Sequence, residues 1–174
     1  MDSYSIIVFI FGILILFLLI VLFFVNRLFS YRNRVKRHFD TVLEYLEVRI
    51  VLIDEMITFI TEHLEHEEHY VKKLKQVKDE IQKLFQDSIS LKEFKKGEKE
   101  FLNFNSLEKV YPSLKNRSDY LDLKDEIKLN QDRVVYAMDS YDKGVMDYNN
   151  YREKKFVRLV AKIFRFPNYD YYNK

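Results

Sequence analysis

Twenty consecutive residues, Ile6 to Val25, carry no polar side chain, and only Gly12 interrupts their run of large apolar groups. A helix rises about 1.5 Å per residue, so this stretch crosses the roughly 30 Å hydrocarbon core of a bilayer with its backbone hydrogen bonds closed internally. The sequence therefore predicts a transmembrane helix over 6–25. A cleaved signal peptide would need a positive start, a shorter apolar stretch and small residues at a cleavage site. This run follows Met1-Asp2-Ser3 and continues through Phe23, Phe24 and Val25, so a retained anchor is expected. Arg27, Arg32, Arg34, Lys36 and Arg37 follow with no acid before Asp40, while the residues before the span carry only Asp2. The positive-inside rule then puts residues 1–5 outside and 26–174 in the cytoplasm of a single-pass cell-membrane protein.

Only three Gly and two Pro occur in 174 residues, which excludes a turn-rich sandwich or barrel and favours long helices. Beyond the basic collar, two rows of period seven, Phe39, Leu46, Ile53, Ile60, Leu74, Ile81 and Leu43, Ile50, Ile57, Leu64, Val71, Phe85, form one helical seam. Glu67 and Lys78 interrupt the rows. The tract from Glu62 to His69 either carries the helix through as a polar layer or breaks it near 64–67; a break near 50–54 is the other position to consider. Val48, Val51 and Leu52 widen the stripe and predict burial against more than one partner. Ser88 to Gly97 reads as a turn, and residues 98–111 as a short helix ending at Tyr111-Pro112. A last long helix starts near Arg117, with Ser118 or Asn116 as N-cap and the seam Tyr120, Ile127, Val134, Tyr141, Tyr148. Ala137 and Gly144 recur on that face and read as packing positions.

Between 154 and 165 the chain carries Lys154, Lys155, Arg158, Lys162 and Arg165 and no acid, interleaved with Phe156, Leu159, Val160, Ile163 and Phe164. On a helical wheel Lys155, Arg158, Lys162 and Arg165 share one side and Phe156, Leu159, Val160 and Ile163 the other, which is a basic amphipathic helix. The alternative is a bundle helix with a solvated basic back. Net charge is only +2, but residues 38–153 hold 18 basic against 25 acidic side chains, so the positive surplus sits at 27–37 and 154–165. An even number of antiparallel helices returns the C-terminal end to the bilayer. Arg27, Arg32, Arg34, Lys36, Arg37, Lys154, Lys155, Arg158, Lys162 and Arg165 are thus the candidate membrane-surface residues, with anionic lipid headgroups as partner.

Other chemistry is sparse. The absence of Cys excludes disulfides, thiolate metal sites and a Cys nucleophile. His63, His66 and His69 with Glu62, Glu65, Glu67 and Glu68 are the one metal-like cluster, but the histidines step around the helix by about 60° each and diverge. A solvated or helix-terminus tract is the expected reading, and no metal or other cofactor is assigned. No phosphate-cradling Gly loop, zinc-hydrolase motif or nucleophile triad occurs, so no enzymatic activity is expected. Of the thirteen tyrosines, Tyr120, Tyr141 and Tyr148 fall on the seam and the net charge around them is negative, which argues for core packing and against nucleic acid. Tyr169-Asp170-Tyr171-Tyr172 lies beyond Pro167, either docked on the bundle or at the lipid interface.

Asn26-Arg27-Leu28, Arg49, Leu52-Ile53 and His66-Glu67, then Tyr111-Pro112-x-Leu114-Lys115, Tyr120-Leu121-x-Leu123, Ala137, Tyr141, Val145, Tyr148-Asn149 and Leu159-Val160-Ala161 with Phe164 and Phe166, form a spaced pattern. It resembles the LemA family of bacterial membrane proteins over about 25–170. Departures are Asp54 and Glu62 where the family has Pro and Gly, Val77-Lys78 for its Ala-Arg pair, and Gln131, Met138 and Asp142 where Glu, Arg and Asn are usual. The resemblance implies an all-α fold, an N-terminal transmembrane helix followed by an antiparallel four-helix bundle of long helices, and no defined reaction. The expected organisation is 1–5 outside, 6–25 spanning, 26–166 bundle and 167–174 Tyr-rich tail. The expected role is a membrane-anchored scaffold or interaction protein with an unidentified protein partner or self-association. Alternatives are a self-assembling membrane-shaping protein, or a metal-binding or catalytic bundle using the His/Glu tract with Asp139 or Asp142.

Overall fold

The computed structural model describes residues 3–64, 68–86, 101 and 107–172. It is all-helical, as the residue pattern demands: α1 Ser3–His63, α2 Glu68–Phe85, α3 Leu107–Val110, a 3-10 helix Pro112–Asn116, α4 Ser118–Arg152 and α5 Lys155–Ile163. The span expected at 6–25 is the N-terminal third of α1. It is the one described helix long and apolar enough to cross a membrane, with a mean hydropathy of 3.6 and nothing buried in that window. There is no break at 50–54. Leu64 is not helical and α2 opens at Glu68, so the described structure ends α1 at the start of the His/Glu tract. Glu65, His66 and Glu67, the turn expected at 88–97 and most of the short helix expected at 98–111 lie outside the described residues. Of that short helix, Phe101 and α3 are described.

The chain divides into two compact units, Met1–Arg37 with Asp142–Tyr171, and His38–Tyr141 with Tyr172–Lys174. In the second unit α1 and α4 run antiparallel: Phe39 faces Tyr141, Arg49 bonds Asn130 and Gln131, and Phe59 meets Tyr120. The α4 seam is buried as expected at Tyr120, Ile127, Val134 and Tyr141. On α1 the row Leu46, Ile53, Ile60 is buried, but its companion is Val42, Arg49, Met56 rather than Leu43, Ile50, Ile57, which are half-buried. The expected wide stripe is corrected too: Leu52 is buried, whereas Val48 and Val51 are exposed. α2 buries Leu74, Val77, Ile81 and Leu84. Lys78 does not disrupt this face, because both carboxylate oxygens of Asp54 accept from its Nζ at 2.7 Å.

The start of α4 shows how local chemistry sets an element boundary. Tyr111 is held out of the helical region at φ −119°, ψ 81° by the Pro112 ring, and the 3-10 helix uses the chain through Asn116. The turn into α4 therefore falls on Arg117, which is extended at φ −98°, ψ 119° and whose carbonyl accepts the Leu121 N–H. Arg117, not Ser118 or Asn116, occupies the N-cap. Asp119 Oδ1 accepts the Tyr120 N–H at 2.9 Å and the Arg117 Nε–H at 3.0 Å, while the Arg117 guanidinium lies 5.4 Å from the Phe59 ring centre. Hydrogen bonding from Arg117 holds the Asp119 carboxyl below its usual range, against the opposing effect of desolvation. A depressed folded pKa stabilises above the unfolded value and is lost as pH falls through the folded one. Hydrogen exchange at the first turn of α4 is therefore expected to accelerate as pH drops below about 3.9, after correction for intrinsic exchange, and Asp119→Asn should flatten that dependence.

Candidate membrane-surface site

In the first unit, α1 again runs antiparallel to α4. Tyr31 stacks on Tyr151 with ring centres 4.9 Å apart and planes 28° apart, and Arg34 Nη1 lies 3.9 Å from the Asp147 carboxylate. Tyr31 is six residues past Val25 and Tyr151 three before Lys154, so the stack sits where the two basic segments meet. Arg27 and Arg34 lie 5.1 and 5.5 Å from the Tyr31 ring centre, and Lys154 lies 5.3 Å from that of Tyr151. A ring face is the negative part of its quadrupole, so the stack offsets repulsion among three cations. Burial pushes the Tyr151 phenol up, Arg27 opposes that shift and Tyr31 adds to it. The Tyr151 phenol therefore keeps its proton at neutral pH.

The ten expected site residues divide by environment. Arg27, Arg34, Lys36, Arg37, Lys154, Lys155, Arg158, Lys162 and Arg165 are exposed. Arg32 is half-buried, and its Nε is enclosed without a hydrogen-bond partner among the described residues. Glu153, just outside the acid-free segment, accepts from Arg152 and lies 3.7 Å from Arg158 Nε, trimming the local positive charge. Tyr31, Tyr151 and Glu153 were not singled out by periodicity. A tyrosine next to each basic cluster was the available signal, and it gains meaning only once the two segments are adjacent.

α5 is held by its ends. Phe164 N–H bonds Val160 O, Arg165 N–H bonds Lys162 O and Phe166 N–H bonds Ala161 O, the closing pattern of a Schellman turn. Arg165 occupies its left-handed position at φ 54°, normally a glycine site. Because that conformation costs an L-residue roughly 1–2 kcal/mol, Arg165→Gly is expected to raise the full chain's stability by about 1 kcal/mol in detergent unfolding. The chain retains a cation there at the expense of backbone strain. Phe166 then packs on Phe29 at 5.0 Å between ring centres and its carbonyl accepts from Arg152 Nε.

The tail docks. Pro167 O accepts the Tyr148 hydroxyl at 2.7 Å, Asn149 bonds the Tyr169 backbone in both directions, and the Tyr169 ring meets Tyr148 edge-on at 5.2 Å. Burial raises the Tyr148 phenol, Tyr169 adds to the shift, and Arg152 and Arg32 oppose it. The expected two-sided wheel of α5 needs correction. Val157, Val160 and Ala161 are buried, but Phe156, Leu159 and Ile163 are exposed, so Val160 does not share their environment. The helix has three sectors rather than two.

The His/Glu tract gives a different picture. His63 Nδ1 lies 3.0 Å from Phe59 O and its ring packs on Phe59, while His69 is exposed near the start of α2. His66 lies outside the described residues. Among the described residues no group of three or more His, Cys, Asp or Glu side chains is placed to hold a metal.

A family model, described as the LemA family, matches residues 38–174. None of the curated proteins matches the chain.

Proposed function

The chain belongs to the LemA family, and from that premise we propose that it is a membrane-anchored, cytoplasmic helical scaffold or interaction module with no chemical step of its own. Its basic ends, Arg27 to Arg37 and Lys154 to Arg165, rest on the anionic inner leaflet, and its N-terminus lies outside. The observation that supports this reading is the convergence of Arg27, Arg34 and Lys154 on the Tyr31–Tyr151 stack, about 9 Å of helix beyond the apolar span. Each such cation close to an anionic surface contributes about 1 kcal/mol, decaying within a Debye length. The intervening helices, net acidic over residues 38–153, offer their exposed faces to a protein partner or a second copy.

The chain lacks cysteine, so single introduced thiols report topology cleanly. In cells producing the full chain, Ser3→Cys should react with a membrane-impermeant maleimide from outside. Tyr136→Cys, at a well-exposed position of α4, should react only after permeabilisation. The reverse pattern would overturn the orientation and with it the choice of leaflet.

A further inference from the structure

α5 leaves an apolar face open in the unit that contains the membrane span. Phe156, Leu159 and Ile163 are 71%, 61% and 74% exposed, while Val157, Val160 and Ala161 are buried. At about 100° per residue, the exposed three fall within an arc of roughly 60°, flanked on one side by the buried sector and on the other by Lys155, Arg158 and Lys162. The face thus has its own cationic border.

The height of α5 along α1 follows from which α1 residues are covered. From Ile6 to Ile20 the span is exposed, but Val21, Phe24 and Val25 are half-buried and Leu28 is fully buried, one stripe at helical spacing. Tyr31 marks the level of Tyr151, and α4 ends one residue later at Arg152. Val21 is ten residues, about 15 Å, further towards the N-terminus, beyond the reach of α4. The tail turns the other way, back to Tyr148 and Asn149. Within this unit α5 is the element left to cover that stripe, and Phe166 at its end sits on Phe29. The covered stripe and the Phe29–Phe166 contact together point to α5 as lying beside the last turns of the apolar run.

We propose that α5 is an interfacial wedge: Phe156, Leu159 and Ile163 enter the acyl region of the leaflet at the C-terminal end of the span, and Lys155, Arg158 and Lys162 reach its phosphates. The occupant of the open face is the bilayer that already surrounds Ile6 to Ile20, because the face continues that apolar surface and its border matches anionic headgroups. This proposal rests on the reading that the basic ends face that leaflet.

The sequence contains no tryptophan, so Phe156→Trp in the full chain gives a single tryptophan, excited selectively over the thirteen tyrosines, at an exposed position whose replacement removes no core contact. The protein is reconstituted in vesicles of phosphatidylglycerol and phosphatidylcholine in equal parts, with and without brominated acyl chains. Wedge insertion predicts blue-shifted emission, at least twofold quenching by the brominated lipid and little quenching by acrylamide. Tyr136→Trp, exposed on α4, should show the opposite behaviour. Emission from position 156 that acrylamide quenches and brominated lipid does not would overturn the wedge. Protection from both quenchers would place a second copy on the face and also overturn it. Relative association of spin-labelled phosphatidylglycerol over phosphatidylcholine, measured on the same protein, keeps the two readings separate. Bromine quenching without headgroup preference supports insertion and overturns only the charge reading; preference without bromine quenching does the reverse.

Discussion

Replacing Arg49 by Ala is expected to destabilise the chain by about 3–5 kcal/mol, the largest loss from any single polar side chain in the second unit. Arg49 is fully buried, donates from Nε to Asn130 Oδ1 at 3.0 Å and from Nη2 to Gln131 Oε1, and lies 4.4 Å from the Phe101 ring centre. Asn130 in turn donates to Tyr45 O at 2.9 Å, so the guanidinium ties α4 to α1 through two amides. Truncation leaves a cavity and strands the Asn130 acceptor, which is buried at 3% exposure. Arg49→Lys should recover little, since one ammonium cannot reproduce the guanidinium fork. Gln131→Glu tests the account in the stabilising direction: it supplies a carboxylate where an amide oxygen now accepts, and charge-assisted bonds are stronger. Arg49 would lower that carboxylate's folded pKa, so the gain should be present at neutral pH and lost on acidification. Thermal unfolding of the full chain in detergent, followed by helicity, reads all three.

In the first unit, Tyr148→Ala is expected to cost about 3–5 kcal/mol, the usual range for removing a buried large aromatic side chain. Tyr148 is fully buried, its ring supports Tyr169, and its hydroxyl fixes Pro167 O. Tyr148→Phe keeps the ring and removes only the hydrogen bond, so about 1 kcal/mol is expected. The two variants should also differ locally. With Ala the backbone amides of Phe166 and Tyr169 should lose protection from hydrogen exchange, releasing the tail from the last turns of α4, whereas with Phe they should remain protected. Equal losses for the two would mean that the hydroxyl, not the ring, organises the tail.

Much of this architecture follows from sequence spacing. The α4 seam from Tyr120 to Tyr148 is buried at every seventh position, because each of those residues is apolar or carries a long apolar ring and nothing interrupts the period. The α1 seam was harder to read. Its buried row Leu28, Val35, Val42, Arg49, Met56 also has period seven, but a charged residue in fourth place disqualifies it by composition, and the neighbouring row 43, 50, 57 looked cleaner. What admits Arg49 to the core lies 81 and 82 residues away, in Asn130 and Gln131, and no local pattern announces it. Lys78 looks like an interruption for the same reason, its partner Asp54 being 24 residues distant.

At the candidate site, charge counting picks out the two basic segments on which the proposal rests, and the wheel shows that the second is amphipathic. Neither divides the apolar side of α5 between packing and exposure, since Val160 and Leu159 are both apolar and only tertiary contact separates them. The Tyr31–Tyr151 stack likewise exists only once α1 and α4 are paired in register. The apolar stretch at 6–25, by contrast, is wholly a property of local sequence, and α1 carries it as a helix long and apolar enough to cross a membrane.

The central claim is that the basic ends of the chain form a surface for anionic lipid. Its most direct test is the relative association of spin-labelled phosphatidylglycerol and phosphatidylcholine with the full chain in mixed vesicles, at low and high salt. It is made on the native sequence and on a variant carrying Arg27→Gln, Lys155→Gln, Arg158→Gln and Lys162→Gln. The account predicts a several-fold preference for phosphatidylglycerol at low salt, reduced by high salt and clearly lowered in the variant, which lacks four of the ten cations. Equal association of the two lipids at low salt, or a preference unchanged in the variant, would contradict it.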